Sequence, residues 1–178
     1  MRILNYEFKA RLKSERRVRA ELRKLRARFA GLDRQVDTYF RVPRGRLKVR
    51  EGKIENALIF YRRTNERRAR SSQVLLVKLA PGNSMRKILG AVFGVLAVVE
   101  KRREIYFWKN VKIHLDRVHG LGRFVEVEAM KKSKVESQKL KARALRRQAL
   151  EFQRRFGIAD SEIVPESYSD LILRKTPP

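Results

Sequence analysis

Apolar and polar residues alternate with a period of two near the start of the chain. In LNYEFKARL (Leu4–Leu12), one side of the segment holds Leu, Tyr, Phe and Ala, and the other holds Asn5, Glu7, Lys9 and Arg11. This alternation is typical of a strand that buries only one face. The second face carries charges of both signs, so the segment raises the question of what such a face contacts.

Similar patterns predict seven or eight strands in all. After the first, they cover Gln35–Val42, Arg46–Glu51, Ala57–Arg63, Gln73–Ala80, Val98–Trp108, Val111–Val118 and Arg123–Met130. We interpret Thr64–Ser72 as a polar loop, and VPRG, PGNS and HGLG as turns. Because most connections have hairpin length, we expect an antiparallel sheet or barrel.

Helical spacing predicts two substantial helices. The first follows Ser14 as N-cap, uses Val18, Leu22, Leu25 and Phe29, and ends at Gly31. The second covers Ser133–Phe156, a short helix covers Met85–Phe93, and the tail Ser167–Lys175 is too short to assign. The expected class is therefore α+β, with helices packed outside the strands.

Composition limits the class of protein. A length of 178 residues fits one domain, residues 1–178, and 43% hydrophobic residues can form a core. The absence of cysteine excludes disulfides and thiolate metal sites and fits a cytoplasmic protein. The longest apolar run, Ile88–Val99, is too short to span a bilayer and we find no signal peptide, so we expect no membrane association.

The charge balance is strongly basic. There are 45 Lys and Arg against 19 Asp and Glu, a net charge of +26, which attracts polyanions such as nucleic acid, polyphosphate or nucleotides. One hypothesis is a non-catalytic protein that binds RNA or polyphosphate through its basic outer helices. Aromatic residues are sparse there, so base stacking is not supported, and a solvated basic surface is the alternative.

Charged residues also share one face within several predicted strands, opposite an apolar face. They are Arg46, Lys48 and Arg50; Lys101 and Arg103; Lys112, His114 and Asp116; and Glu126 and Glu128. Such faces contact bulk water in an open sheet, or line the interior of a closed barrel. Segregated acids favour closure, which would gather Glu7, Asp116, Glu126 and Glu128 at one seam, opposite basic strands.

This arrangement suits a metal–triphosphate. Lys and Arg neutralise phosphate charges, and Mg²⁺ or Mn²⁺ is held by carboxylates together with phosphate oxygens. The two histidines, His114 and His119, do not have zinc-site spacing. We interpret His114 as structural, hydrogen-bonded within the barrel wall.

An ordered set of segments resembles the CYTH superfamily, most closely its class IV adenylyl cyclase-like branch. The segments are NYEFKARL, DTYFRVPRGRLKVRE, LIFYRR, VEKRREIY, KIHLDRVHGLGRFVEVE and SYSDLI, which span nearly the whole chain. The resemblance implies a triphosphate tunnel fold, a closed antiparallel barrel of about eight strands with a charged lumen. Members include adenylyl cyclases, thiamine triphosphatases, inorganic triphosphatases and relatives of RNA triphosphatases.

The resemblance also implies roles for individual residues. Glu7 and Lys9 match the second acid and the lysine of the family's ExExK signature, and are candidate catalytic residues. The candidate metal ligands are Glu7, Asp116, Glu126 and Glu128. The candidate triphosphate-binding residues are Lys9, Arg11, Lys48, Arg50, Arg63, Lys101, Arg103 and Lys112. Asn5 replaces the signature's first acid without its charge, which predicts a weakened metal position or a tunnel that binds anions without catalysis.

The implied function is that of an enzyme on a triphosphate. In a cyclase, the ribose 3′-hydroxyl of ATP attacks the α-phosphate and pyrophosphate leaves; in a triphosphatase, water attacks the terminal phosphate of tripolyphosphate or thiamine triphosphate. Both reactions rely on positioning and charge neutralisation. The residues do not decide between them, because a nucleotide needs a base pocket that the sequence does not identify. A homodimer also stays open.

Overall fold

The computed structural model of the protein describes residues 2–63, 70–132 and 138–175. The strands are β1 (Arg2–Arg11), β2 (Arg28–Phe40), β3 (Arg46–Glu51), β4 (Ala57–Arg63), β5 (Arg70–Lys78), β6 (Val95–Trp108), β7 (Val111–Val118) and β8 (Gly122–Lys132). The helices are α1 (Glu15–Lys24), α2 (Met85–Phe93), α3 (Gln138–Phe156) and α4 (Tyr168–Lys175), and a short 3-10 turn covers Asp160–Glu162.

The eight strands close into an antiparallel barrel. Their order around it is β1-β5-β4-β3-β2-β6-β7-β8, so the first strand pairs with the last. In that pairing Glu7 lies opposite Glu128, and Lys9 lies opposite Glu126. The predicted closed barrel is therefore confirmed, and the alternative of an open sheet is wrong.

The main apolar core lies outside the barrel wall. Because side chains alternate along a strand, the residues between the charged positions of β1, β7 and β8 point outward. They pack beneath α1 and α3 in one buried cluster that includes Phe8, Leu22, Ile113, Val127 and Phe152. Burying each such side chain stabilises the fold by about 1.5–3 kcal/mol. Because this outer core supplies the stability, the inner face of the barrel can carry charged residues.

A second apolar cluster closes one end of the barrel, where β7 finishes and β8 begins. Tyr168 of α4 packs edge-on against Phe124, with ring centroids 5.1 Å apart. The other buried members of this cluster are Tyr39, Val99, Val118 and Leu121. The phenol of Tyr168 also faces the lumen, so α4 forms part of the site's wall.

The first helix is shorter than predicted. It ends at Lys24, because Arg26 adopts a left-handed conformation with φ 52°. The amides of Arg26 and Ala27 then donate to the carbonyls of Arg23 and Leu22, both at 2.9 Å, in a Schellman motif. Phe29 and Gly31, predicted to lie in and to cap the helix, are instead the start of β2.

Strand bounds also differ from the prediction: β1, β2, β5 and β6 begin earlier, β1, β2 and β5 also end earlier, and β8 is longer at both ends. Residues 70–72, predicted as loop, begin β5 and pair with β1 and β4. The strand predicted to begin at Val98 begins at Val95. The remainder of the predicted loop, residues 64–69, and the first residues of the last long helix, 133–137, lie outside the described residues. Within the described ranges, no helix has the length and apolar character needed to cross a membrane.

Candidate active site in the barrel lumen

The barrel encloses a cavity of about 720 Å³ whose walls differ in chemistry. Most strands contribute charged side chains, because their inward positions are the polar positions of the sequence pattern. The charged lining residues include Glu7, Lys9, Asp37, Lys48, Arg50, Glu55, Arg103, Lys112, Glu126 and Glu128. The strand register therefore brings most of the predicted site residues into one cavity.

Acidic side chains gather at the seam between β1 and β8. Glu126 and Glu128 follow each other on the inner face of β8, and Glu7 lies beside Glu128 on β1. Burial raises the pKa of Glu128 to about 7, with the charges of Glu126 and Glu7 adding to the rise against Lys112. The pKa of Glu126 is lowered despite its burial, chiefly by Arg103. A divalent cation would relieve this crowding of carboxylates.

Basic side chains on the middle strands are held by a buried acid that the sequence reasoning missed. Asp37 on β2 is 1% exposed and accepts hydrogen bonds from Lys48 at 2.8 Å, Arg50 at 2.8 Å and Lys101 at 2.6 Å. Burial disfavours the charge of Asp37, but the three cations hold its pKa well below the usual range. The expected segregation of acids from bases is therefore wrong at this position. The sequence pattern that could have predicted this contact is the alternation of QVDTYF, which places Asp37 opposite Arg50 in a β2–β3 hairpin.

Lys101 lies behind the cavity rather than on its surface. Its side chain is fully buried, its Nζ donates to Asp37, and it is absent from the lining residues. Burial lowers the pKa of Lys101 to about 7, although Asp37 opposes this shift. The predicted contact of Lys101 with a triphosphate stays a prediction.

A second missed acid comes from the loop between β3 and β4. The carboxylate of Glu55 accepts from Arg50 at 2.9 Å and Gln35 at 3.0 Å, and it pairs with Lys112 on the far side of β2 and β6. The loop is fixed by the buried carboxylate of Asp33, which accepts the backbone amides of residues 53, 54 and 55 at 2.7, 3.1 and 3.0 Å. The carboxylate of Glu55 thus lies between the cations Arg50 and Lys112, in a position that a phosphate group of a ligand could also occupy.

Arg103 links two of the predicted metal ligands. Its guanidinium contacts both carboxylate oxygens of Asp116 at 2.7 and 2.5 Å, and one oxygen of Glu126 at 2.6 Å. Tyr168 donates its hydroxyl to Asp116 at 2.8 Å. Both oxygens of Asp116 are therefore engaged, and its predicted role as a metal ligand stays a prediction.

The other predicted cations lie at different depths. Lys9 lines the cavity beside the seam, donates to the carbonyl of Glu166, and lies 4.3 Å from the ring centroid of Tyr168. Arg11 is at the closed end of the barrel, where it contacts the carbonyl of Leu121 at 3.3 Å and the ring of Phe124. The side chain of Arg63, at the end of β4, is not among those described.

One wall of the cavity is apolar. It is formed by the inward residues of the β4–β5 hairpin: Ala57, Ile59, Tyr61, Val74 and Leu76. In the ALIFYRR segment, the alternate positions 57, 59 and 61 carry no charge, and a charge follows on that face only at Arg63. The sequence pattern alone did not show that these residues line the site. Barrel closure places this apolar wall in the same cavity as the charges.

Among the described residues, His114 lies near the wall residue Glu126 but just beyond hydrogen-bond distance of it, so the expected hydrogen bond within the wall is not formed at normal length. It is 0% exposed, and neither ring nitrogen has a hydrogen-bond partner among the described residues. Its Nδ1 points to the seam, 3.6 Å from Oε2 of Glu126 and 3.8 Å from Oε1 of Glu128. The three side chains form a compact group of ligand atoms, all within 4.8 Å of one another.

A closed antiparallel barrel with carboxylates, cations and an apolar wall in one lumen defines a tunnel-type β-barrel protein. The family model of the CYTH domain matches residues 4–168, and the chain therefore belongs to the CYTH family. No curated protein sequence matches the chain significantly.

Solved structures share the fold over nearly the whole chain. The PH1012 protein of Pyrococcus horikoshii is 24% identical, with a TM-score of 0.75 and coverage of 94% of this chain and 98% of that one. A conserved hypothetical protein of Pyrococcus furiosus is 22% identical, with a TM-score of 0.75 and coverage of 94% and 99%. A candidate adenylate cyclase of Vibrio parahaemolyticus is 18% identical, with a TM-score of 0.75 and coverage of 95% and 97%. At these identities the likeness shows the fold alone.

Proposed function

We propose that the protein is a metal-dependent enzyme that acts on a nucleoside triphosphate held in the lumen, with ATP cyclisation as the favoured reaction. One observation carries this proposal: the carboxylates of Glu7 and Glu128 share a cavity with the cations Lys48, Arg50 and Lys112. A chain of phosphates with a bound cation is the ligand that contacts both sets favourably. Membership of the CYTH family supports the same reading.

The residues at the seam fit a divalent metal such as Mg²⁺ or Mn²⁺. Glu7, Glu126 and Glu128 offer oxygen donors, and burial together with the charges of Glu126 and Glu7 raises the pKa of Glu128 although Lys112 opposes the rise. Asn5 donates to Glu7 at 2.9 Å, and its own Oδ1 has no hydrogen-bond partner among the described residues. When bound, such an ion polarises a phosphoryl group and lowers the pKa of an attacking hydroxyl.

The cations bind and orient the phosphates. Lys48 and Arg50 neutralise phosphate charge from one side, and Asp37 fixes both of them before any ligand arrives. Arg103 is similarly fixed by Asp116, and Lys9 lies opposite Glu126 at the seam. Groups held in place before binding require little reorganisation during reaction, which is how such sites lower a barrier without a covalent nucleophile.

The apolar wall favours an organic triphosphate over a bare one. Tripolyphosphate needs only cations, whereas the surfaces of Ile59, Tyr61 and Leu76 would face water beside it. A nucleobase or another flat ring would cover them. Cyclisation then needs the 3′-hydroxyl near the α-phosphate; the alternative is hydrolysis, in which water attacks the terminal phosphate of tripolyphosphate or thiamine triphosphate.

A substrate panel tests this proposal. ATP, GTP, thiamine triphosphate and tripolyphosphate are each incubated with Mg²⁺ or Mn²⁺, and phosphate, pyrophosphate and cyclic nucleotide are separated. We expect cyclic AMP and pyrophosphate from ATP, reduced at least about 100-fold by Glu126→Gln. The control Glu151→Gln, in an exposed ion pair on α3, should be unchanged. Absence of turnover on every substrate would contradict the enzymatic proposal, and retained triphosphate binding would then indicate a binding protein.

The outer surface favours a second candidate function, the binding of RNA or another polyanion. The acids of α1 and α3 are already paired: Glu15 with Arg19, Glu21 with Lys24, and Glu151 with Arg155. Exposed cations beyond these pairs include Arg16, Arg23, Arg143, Arg146 and Arg147.

Such a surface should bind RNA with strong salt dependence. Replacing Arg143, Arg146 and Arg147 with Glu should abolish it, whereas Lys48→Ala should not. RNA binding that is lost only with Lys48→Ala would instead place the polyanion in the lumen.

A further inference from the structure

His114 is an exception among the buried polar side chains. It is 0% exposed, yet neither ring nitrogen has a hydrogen-bond partner within the described ranges. Buried polar groups are almost always hydrogen-bonded, and an unsatisfied one costs about 1–3 kcal/mol. The imidazole lies on the inner side of β7, and within the described ranges its nearest carboxylate oxygen is Oε2 of Glu126 at 3.6 Å, so a ligand could serve as its partner.

The geometry around His114 is that of a set of metal donors. The distances from Nδ1 to the carboxylate oxygens of Glu126 and Glu128 are 3.6 and 3.8 Å, too long for hydrogen bonds. Two ligands bound to one ion at about 2.1 Å lie roughly 3.0–3.5 Å apart. The three groups could therefore contact one ion after only small movements.

The imidazole of His114 and the carboxylates of Glu126 and Glu128 together offer one nitrogen donor and two oxygen-donor groups within a small volume. A metal ion would bind all three.

We propose that His114 is a nitrogen ligand of the metal ion held by Glu126 and Glu128, and that the lumen consequently selects a transition metal such as Mn²⁺ or Co²⁺ over Mg²⁺. This inference rests on the proposed function only for the presence of a metal at the seam. Imidazole is a good ligand for transition metals, whereas Mg²⁺ takes oxygen ligands almost exclusively. The site therefore differs from one built of carboxylates alone.

Pulsed electron paramagnetic resonance on the Mn²⁺-loaded full chain, without substrate, tests the nitrogen ligand directly. The chain has two histidines, so His119→Asn, in an exposed turn, is a matched control for His114→Asn. We expect ¹⁴N modulation from a coordinated imidazole in the wild type and in His119→Asn, and none in His114→Asn. Labelling the wild type and His119→Asn with [¹⁵N]histidine should replace that modulation with the ¹⁵N pattern, a test that stands even where His114→Asn does not fold.

Calorimetry supplies the second readout. His114→Asn should weaken Mn²⁺ binding at least about tenfold and change Mg²⁺ binding less than about threefold. Mn²⁺ bound without histidine modulation would overturn the inference and leave the proposed function intact, and so would equal losses of Mn²⁺ and Mg²⁺ affinity, which indicate a structural histidine. Failure of the wild type to bind either metal, with or without tripolyphosphate, would contradict both proposals.

Discussion

Removing the charge of Asp37 should destabilise the barrel strongly. The Asp37 carboxylate is 1% exposed and accepts from Lys48 at 2.8 Å, from Arg50 at 2.8 and 2.9 Å, and from Lys101 at 2.6 Å. In Asp37→Asn the side chain keeps its shape but loses its charge, and its amide nitrogen faces other donors. Lys48 and Arg50 then lie close together without their counter-charge, and Lys101, whose pKa burial lowers to about 7 even beside Asp37, loses its proton more readily.

The size of this effect follows from the burial. Removing one partner of a buried ion pair costs about 3–5 kcal/mol, and with three cations affected we expect about 4–5 kcal/mol. Domains are stable by only about 5–15 kcal/mol. For a chain of this length, each kcal/mol shifts the melting temperature by about 2–4 °C, so the midpoint should fall by roughly 8–20 °C.

The effect should also depend on pH in one direction. The pKa of Asp37 in the folded protein is held well below the ordinary aspartate value of 3.8 by Arg50, Lys101 and Lys48, which outweigh burial. The stability that the charge contributes is therefore fully present above that value and is lost as the pH falls through the lower folded-state pKa. The difference between wild type and Asp37→Asn should be complete at neutral pH and shrink in strong acid.

Thermal and guanidinium unfolding at neutral and acidic pH measures these differences. The control Glu151→Gln removes a carboxylate from an ion pair that is 42% exposed on both sides, and should leave the midpoint unchanged. Adding Lys101→Met to Asp37→Asn removes a buried amine that has lost its hydrogen-bonded partner and should recover part of the loss. A melting temperature for Asp37→Asn within error of the wild type would refute this description of the lumen.

Two further predictions concern the ligand. Glu55→Gln should tighten tripolyphosphate binding about tenfold, or about 1.4 kcal/mol by calorimetry, because a competing anion leaves Arg50 and Lys112; unchanged or weaker binding would contradict this role. Ile59→Ser should weaken binding of ATP several-fold and leave tripolyphosphate unaffected, because it alters only the apolar wall; equal losses for both ligands would indicate a general distortion of the cavity.

Local patterns were enough to predict the strands that carry the site. The segments β3, β4 and β7 have the predicted bounds, because each alternates inward and outward residues without interruption. The same alternation gave the inward face of Lys48, Lys112 and Glu126. Closure followed from the distribution of charge over the first and last strands, and the register of β1 against β8 confirms it.

Features set by tertiary contacts could not be predicted in this way. The helix α1 ends at Lys24 because Arg26 takes a left-handed conformation, which is rare for this residue type, so the sequence lacked the usual glycine signal. Glu55 reaches the lumen through a loop that Asp33 organises from another strand. The pairing of Asp37 with three cations and the apolar wall at Ile59 depend on contacts between strands, so they become visible only in the closed barrel.

The lumen, as we propose, binds a triphosphate together with a metal ion. Calorimetric titration of tripolyphosphate with Mn²⁺ into the wild type, Lys48→Met and Lys24→Met tests it most directly, since Lys48 lines the cavity and Lys24 lies on the outer surface of α1. We predict one metal-dependent site per chain, lost in Lys48→Met and retained in Lys24→Met. Equal binding by all three proteins, or binding that does not require the metal, would contradict the account.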